Sequence, residues 1–207
     1  GFGNFGCYGS TINTPNIDLL ASGGLRYNNF HVTPLCSPTR ASLLTGRNHH
    51  AVGMGALANA HNMGFPSRRA LVSRHAGTLA EILREEGYST YALGKWHLNP
   101  AAENSAAGPR HGWPLQRGFD RFYGFLPGAT DQFYPELTYD NHSVYPPKTP
   151  EEGYHVTEDM VDHAIEFVND QKSIHPNSPF FMYFAPGAMH EPHQAPKSYI
   201  EKYKGKF

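Results

Sequence analysis

The chain has 207 residues, 39% of them hydrophobic, and a formal net charge of -1. This length and apolar content predict one large domain with a hydrophobic core and argue against wholesale disorder. The near-neutral charge gives no reason to expect nucleic acid or an anionic membrane as a partner. No apolar run approaches the roughly 20 residues that a membrane-spanning helix needs.

The ends and the cysteines of the chain give further constraints. The sequence opens at Gly1 without Met and stops at Phe207, so we expect residues 1–207 to be a fragment that is incomplete at both ends. The lack of a signal peptide is then uninformative, and a cytoplasmic, periplasmic or secreted location stays open. Two cysteines, Cys7 and Cys36, cannot build a disulfide framework and lack the CxxC spacing of a zinc site.

Predicted helices and strands alternate along the chain. In chain order we predict a helix over 14–22, a strand over 25–32, a helix that opens at Ser37-Pro38, a helix over 78–86, a strand over 88–93, a helix over 156–172 and a strand over 180–185. Segments 55–77 and 100–150 read as irregular loop. The long helix carries one apolar face, made of Met160, Val161, Ala164, Ile165 and Val168. The last strand is a continuous apolar run, which is typical of a strand buried on both faces.

This alternation predicts an α/β fold with a mainly parallel sheet. Ligands of such folds bind beyond the carboxyl ends of the strands. Three predicted strands end shortly before residues of chemical interest, which are Cys36, the Lys95/His97 pair and His190.

The segment around Cys36 indicates an anion site. Ser37 suits the N-cap and Pro38 the first helical position, which places Arg40 in the first turn. A cation there opposes the helix dipole, and an anion bound at the helix N-terminus would remove the conflict. The alternative is a buried Cys36 before an ordinary helix whose Arg40 reaches water.

Lys95 and His97 form a second candidate pair. Residues two apart in an extended segment point to the same side, so both can face one anion while Trp96 turns into the packing. The alternative is an exposed Lys95 and a hydrogen-bonded core His97.

These motifs resemble those of the type I sulfatases, bacterial arylsulfatases most of all. Cys36-Ser37-Pro38-Thr39-Arg40 with Leu44-Thr45-Gly46-Arg47 is similar to the family signature C-x-P-[S/T]-R followed by L-T-G-R. The resemblance continues in family order over nearly the whole chain, in the segments Thr14-Pro15-Asn16-Ile17-Asp18, Gly94-Lys95-Trp96-His97, Gly118-Phe119-Asp120 and Met189-His190-Glu191-Pro192. It implies an alkaline-phosphatase-like fold, a mainly parallel sheet sandwiched by helices.

The resemblance also implies a chemistry. Cys36 would be oxidised to Cα-formylglycine by a separate formylglycine-generating enzyme, and its hydrated aldehyde would be held on a divalent cation, usually Ca²⁺. One hydroxyl attacks sulfur and the other then expels sulfate. By the same resemblance Arg40 steadies the diol, Lys95 contacts the sulfate and His97 assists proton loss. His190 also contacts the sulfate, and it fits the His-x-Pro register better than His193 does.

The expected substrate is a small-molecule sulfate ester, of the aryl type. Cys36 is the one metal ligand expected within the chain, because the family's Asp pair would precede Gly1 and further ligands would follow Phe207. We therefore expect the isolated fragment to be inactive. Two alternatives stay open: a phosphonate monoester or phosphodiester hydrolase of the same superfamily, and a non-catalytic binding protein on this fold, against which the intact motifs argue. A transition-metal protein that uses its many histidines is disfavoured, because they lack any tight ligand spacing. Residues with expected structural roles are His49, His50, Cys7 and Asp120.

Overall fold

The computed structural model describes residues 2–60, 64–105 and 107–206. It divides into two compact units, Gly1–Val32 and Thr33–Phe207, which are described separately. Segment 55–77 is irregular as predicted where it is described, with one short 3-10 turn at Ala58–Ala60, while its residues 61–63 lie outside the described ranges.

The first unit is built around helix α1, Pro15–Ser22, which confirms the first predicted helix. Pro15 occupies the first turn, where its missing N–H costs nothing. The Asp18 carboxylate accepts hydrogen bonds from the Cys7 backbone N–H at 2.7 Å and the Thr14 hydroxyl at 3.0 Å. The bond to Cys7 ties the helix to the 3-10 turn Gly6–Tyr8, which follows another 3-10 turn at Phe2–Asn4.

The predicted strand over 25–32 is wrong, because that segment forms no strand. Its large apolar side chains are exposed by 64–88%, namely Leu25, Tyr27, Phe30 and Val32. A β-prone sequence becomes a strand only when a neighbouring strand pairs with it and its side chains are buried, and the described part of this unit offers no such neighbour.

The second unit contains a five-stranded sheet in the order β4-β3-β2-β1-β5. Strands β1 (Ser89–Lys95), β2 (Arg121–Phe125) and β5 (Phe180–Ala185) run parallel. The short strands β3 (Leu137–Tyr139) and β4 (His142–Val144) extend the sheet antiparallel beyond β2. The predicted α/β fold with a parallel centre is therefore confirmed, and the sheet as a whole is mixed.

Strands β2, β3 and β4 correct the prediction that 100–150 is loop. Phe122, Tyr123 and Phe125 are buried on both sides of Gly124, so β2 shows no polar alternation. Strands β3 and β4 have three residues each, too few to show a period of two. Their pairing partners, rather than their own sequence, make them strands.

Helices cover both faces of the sheet. Helices α2 (Cys36–Thr45) and α3 (Leu79–Glu85) contribute to the core on one face, and α4 (Val156–Ile174) contributes on the other. A short helix α5, Lys197–Glu201, follows the sheet. No helix in the described ranges is both long and apolar enough to cross a lipid bilayer.

Two predicted burial patterns need correction. The apolar face of α4 is only partly covered, with Val161 40% and Ile165 53% exposed. Strand β5 is not buried on both faces, since Phe180 and Phe184 are 39% and 38% exposed. Both exposures have the same cause. Strand β5 is an edge strand of the described sheet, and no described element covers β5 and the neighbouring side of α4.

Helix α3 is fixed at its start by a capping box in which Thr78 and Glu81 exchange side-chain-to-backbone hydrogen bonds. Arg117, only 2% exposed, pairs with the Glu81 carboxylate at 3.0 Å. Its other nitrogens donate to the carbonyls of Val72 at 2.6 Å and Ala76 at 2.8 Å. Each nitrogen of the buried Arg117 guanidinium therefore has a hydrogen-bond partner.

The end of β1 depends on one glycine. Gly94 has φ +95°, which L side chains rarely adopt, and a Cβ there would overlap the Ala185 carbonyl of β5. This close approach sets the position of Lys95, the next residue, beside β5.

Candidate active site

Helix α2 begins at Cys36, two residues before the predicted first helical position at Pro38. Ser37 is not its N-cap, because the buried Ser37 hydroxyl accepts a hydrogen bond from the Ala58 N–H at 3.1 Å. Leu35 stands at the cap without a side-chain bond. Arg40 consequently lies in the second turn rather than the first, so the predicted conflict with the helix dipole is weaker than expected.

The Arg40 guanidinium reaches across to the sheet. One of its nitrogens donates to the Lys95 carbonyl at 2.6 Å and to the Tyr183 hydroxyl at 3.0 Å. Arg40 thus connects α2 with the carboxyl end of β1 and with β5, and does not simply extend into water.

Cys36, Lys95 and His97 meet at this end of β1. The Cys36 sulfur lies 3.1 Å from Nδ1 of His97. Lys95 and His97 are 3% and 5% exposed, so the alternative of an exposed lysine is wrong. Trp96 turns into the core as predicted, and its indole N–H donates to the Gly112 carbonyl at 2.7 Å.

The backbone at His97 is unusual, with φ +56°. Gly128 lies against its imidazole, since a Cβ at that position would come within 2.6 Å of Cε1. Because Gly128 has no side chain, the loop after β2 can pack directly on the His97 ring, which fixes the ring beside Cys36. The buried Nε2 of His97 has no hydrogen-bond partner among the described residues.

The electrostatics of the cluster are cationic. Burial, together with the nearby charges of Lys95, Arg40 and His190, lowers the pKa of His97 to about 4. Burial also lowers the pKa of Lys95, opposed by the Cys36 sulfur, which hydrogen-bonds the ammonium. His97 is therefore neutral at neutral pH and able to accept a proton.

His190 lies at the margin of the cluster. It follows the end of β5 by five residues, is exposed, and makes its own local contacts with the Gly187 and Glu191 carbonyls. It is near enough for its charge to depress the pKa of His97. The structure thus brings the Cys36 sulfur against His97 and beside the Lys95 ammonium, joins Arg40 to the Lys95 carbonyl, and leaves His190 at the margin.

An open groove runs along the exposed side of Cys36 and Arg40. Its other lining residues come from the preceding loop, from α2 and from β5: Thr33, Pro34, Leu35, Thr39, Leu43 and Tyr183. Tyr183 was missed by the sequence analysis. Its signal is a single hydroxyl within the apolar run of β5, two residues before the strand ends at Ala185.

Other residues with expected structural roles lie outside the cluster. His49 and His50 pack against each other in a tilted arrangement, with ring centroids 4.3 Å apart, in the loop after α2. Asp120 accepts hydrogen bonds from the Thr90 N–H at 2.9 Å and the Thr90 hydroxyl at 3.0 Å, which joins β2 to β1. Cys7 is half-buried in the first unit.

The described residues do not form a metal site. In residues 2–60, 64–105 and 107–206, no group of three or more His, Cys, Asp or Glu side chains is arranged to hold an ion. The charges that act around Cys36 include the cations Lys95 and Arg40, whereas Ca²⁺ needs several oxygen ligands. The side chains present here therefore do not fit Ca²⁺ by themselves.

The fold and this cluster define an α/β protein with a cationic, cysteine-containing site at the carboxyl end of a central parallel strand. The family profile described as Sulfatase matches residues 1–207. The chain belongs to the sulfatase family.

Relatives by sequence agree with this family. An uncharacterized sulfatase of Schizosaccharomyces pombe is 34% identical over 100% of this chain and 39% of its own length. Arylsulfatase A of Homo sapiens is 40% identical over 74% of this chain and 27% of its own length. The chain thus spans well under half the length of these curated relatives.

Solved structures show the same fold. Ps i-CgsB in complex with k-i-k-neocarrahexaose superposes with a TM-score of 0.80 at 29% identity, covering 98% of this chain and 46% of that one. BT4656 in complex with its substrate D-glucosamine-2-N,6-O-disulfate gives a TM-score of 0.71 at 26% identity, covering 97% and 34%. The alkaline-phosphatase-like fold predicted from the sequence is confirmed.

Proposed function

We propose that the protein containing this chain hydrolyses sulfate monoesters of the arylsulfatase type, with a small-molecule sulfate ester as its substrate. One observation carries the proposal: the Cys36 sulfur lies 3.1 Å from a neutral His97, beside the cations of Lys95 and Arg40. A nucleophile position next to a proton acceptor and two cations suits attack on a tetrahedral oxyanion.

Conversion of Cys36 to formylglycine, by a formylglycine-generating enzyme, completes the proposed nucleophile. The hydrated aldehyde supplies a hydroxyl that attacks sulfur and a second hydroxyl that allows sulfate to leave, so that no water molecule has to attack a sulfated residue. The Cys36 sulfur marks where the attacking oxygen would be. The net reaction converts a sulfate ester and water into an alcohol or phenol and sulfate.

The neighbouring side chains have distinct proposed roles. Lys95 supplies a buried positive charge to the sulfuryl oxygens, and Arg40 supplies a second one while it fixes the end of β1. His97, kept neutral by its surroundings, takes a proton from the residue at position 36. His190 contributes a further donor to the sulfate from the edge of the site.

Side chains of this chain carry each of the roles given above. A Ca²⁺ ion, expected from the family resemblance, would take an oxygen of the converted Cys36 as one ligand and would need carboxylates that the described residues around the site do not provide.

A phosphonate monoester or phosphodiester hydrolase of the same superfamily is the second candidate. Phosphate and sulfate esters are both tetrahedral oxyanions, and the cation cluster suits either of them. Arylsulfatases among the relatives favour the sulfate ester. Turnover of an aryl sulfate compared with an aryl phosphodiester, at matched enzyme concentration, decides between them.

Cys36→Ala in the full-length, matured protein tests the nucleophile. Arylsulfatase turnover should fall to background while the melting temperature changes little, because a cysteine side chain leaves only a small cavity. Cys7→Ala is the matched control, since it removes the other cysteine and should leave the activity intact. Substantial activity in Cys36→Ala would refute the proposal.

Mass spectrometry tests the modification directly. In protein made together with a formylglycine-generating enzyme, the peptide carrying Cys36 should lose the thiol sulfur and gain an aldehyde oxygen. Unmodified thiol throughout a fully active preparation would contradict the mechanism.

A further inference from the structure

We propose that Gln194 and Asp131 form an anchor that positions His190 for the sulfate ester, an inference that rests on the proposed function. Gln194 lies four residues after His190, in the loop between β5 and α5. Asp131 belongs to the loop after β2. Gln194 is therefore a positioning residue, and it acts on the substrate only through the loop that carries His190.

The anchor consists of two hydrogen bonds to the amide side chain of Gln194. The Gln194 Oε1 accepts a hydrogen bond from the Gln132 backbone N–H at 2.7 Å. The Gln194 Nε2 donates to the Asp131 carboxylate at 2.7 Å. Both the oxygen and the nitrogen of the Gln194 amide therefore have partners. Because one partner is a donor and the other an acceptor, the amide can adopt only one orientation.

The partner loop is itself well fixed. The second Asp131 oxygen accepts the backbone N–H groups of Phe133 and Tyr134, each at 2.8 Å. Slight burial raises the pKa of Asp131, but the hydrogen bonds from Gln194 and these two amides bring it below its usual range. The carboxylate is therefore ionised, and its bond to Gln194 is charge-assisted.

Backbone contacts connect the anchor to α4 and to the tight turn before Gln194. The Gln132 carbonyl accepts from the Val156 N–H at 2.9 Å, at the first residue of α4. The Gln194 carbonyl lies 3.2 Å from Nε2 of His155, and the Gln194 N–H donates to the Pro192 carbonyl at 2.9 Å. The exposed His190 thus stands on a loop whose far end is held against the packed part of the unit.

A charge-preserving swap tests this geometry. Asp131→Asn would place an amide donor against the Gln194 donor, and Gln194→Glu would place two carboxylates together. Each single variant should lower kcat/KM on an aryl sulfate by about tenfold, as expected from loss of a charge-assisted hydrogen bond. The double variant Asp131→Asn/Gln194→Glu should recover the activity to within about threefold, since the new amide can donate to the new carboxylate, which still accepts from the Gln132 N–H.

A second cycle separates positioning from general structural damage. In a His190→Ala background, Asp131→Asn and Gln194→Glu should each change kcat/KM by less than about twofold, because the side chain that they position is gone. Melting curves verify that all variants are folded. The proposal is overturned if the single variants keep full activity, if the swap fails to restore it, or if they cost as much without His190 as with it.

Hydrogen exchange distinguishes failure of the anchor from failure of the proposed function. Amides of residues 186–196 should exchange faster in each single variant and return to the wild-type rate in the double variant. If the wild-type protein hydrolyses no sulfate ester but this exchange pattern holds, the anchor exists and the assigned reaction is wrong. If exchange is unchanged in the single variants, the anchor itself is refuted.

Discussion

Two buried cations in the second unit have opposite environments. Arg117 is 2% exposed and faces the Glu81 carboxylate and two backbone carbonyls. Lys95 is 3% exposed, yet no carboxylate in the described ranges lies within salt-bridge distance of it. Its neighbours are the Cys36 sulfur, which attracts it, and Arg40, which repels it.

The difference indicates what each residue is for. A buried charge is costly unless opposite charge and hydrogen bonds compensate it, and Arg117 is compensated. Lys95 is not, so the fold holds a positive charge whose partner is expected to arrive from outside. A buried charge in the core is tolerated when opposite charge and hydrogen bonds compensate it. A binding site can leave a buried charge uncompensated, so that the substrate supplies its partner.

The largest effect on stability should follow from removing the compensated cation, Arg117. Arg117→Met would leave the Glu81 carboxylate without its cation and the Val72 and Ala76 carbonyls without donors. We expect a loss of about 3–5 kcal/mol in the free energy of unfolding, measured by urea denaturation. A loss below about 1 kcal/mol would show that this buried pair is not structural.

The fold was predictable where one segment carries its own signal. The helices predicted over 78–86 and 156–172 rest on local periodicity, and both are present, as Leu79–Glu85 and Val156–Ile174. Strand β2 was missed, because its buried aromatic residues acquire meaning only beside β1. The segment 25–32 has the composition of a strand but no pairing neighbour among residues 2–32, so composition alone misled.

The residues of the active site likewise divide into those with a local sequence signal and those without one. Spacing from the strand period correctly separated Trp96 from its two polar neighbours, and the motifs led to Cys36, Arg40 and His190. The contact between His97 and Cys36, the gap left by Gly128, and Tyr183 as a partner of Arg40 depend on chain segments far apart in sequence. No local pattern encodes such contacts.

A smaller effect is expected at the cap that supports the Arg117 region. Thr78 is 2% exposed, accepts from the Glu81 N–H at 3.1 Å and donates to the Arg117 carbonyl at 2.7 Å. Thr78→Ala should lower the free energy of unfolding by about 1–2 kcal/mol, and Thr78→Ser should recover most of it. Equal stability of the Ala and Ser variants would contradict a capping role.

Two histidines repeat the comparison in their pKa values. Burial lowers the pKa of both. The Asp159 hydrogen bonds and charge, with Glu166, raise that of His163 above its usual value, whereas the charges that act on the pKa of His97 are those of Lys95, Arg40 and His190, which lower it. Nδ1 of His163 lies 3.2 Å from the Asp159 carboxylate. The two rings therefore differ in charge near pH 6.5.

Since the pKa of His163 is raised on folding, its ionic contribution to stability is complete below pH 6.5 and is lost as the pH rises through the folded pKa. His163→Gln should thus be less stable than wild type by about 1 kcal/mol more at pH 5 than at pH 9, a value reduced for partial exposure. Loss of stacking on Tyr123 is independent of pH and cancels in this difference. Paired urea titrations at both pH values measure it, and a stability deficit that does not shrink with rising pH would contradict the assignment.

The smallest change in stability is expected at the other buried cation, and it is the sharpest test of the comparison. Lys95→Met keeps an unbranched side chain of similar length and removes a charge that no described carboxylate compensates. The free energy of unfolding should stay within about 1 kcal/mol of wild type or rise, because replacing an under-compensated buried charge by an apolar group relieves desolvation. Turnover of an aryl sulfate by the full-length protein should nevertheless fall by about 10²–10³-fold, the usual effect of losing one stabilising group at the transition state. Arg117→Met, which removes a cation of equal charge and burial, gives the opposite pattern of large instability, with activity retained by the molecules that remain folded. If Lys95→Met instead unfolds the protein as Arg117→Met does, then Lys95 has a structural partner and the cationic cluster beside Cys36 is not held in reserve for an anion.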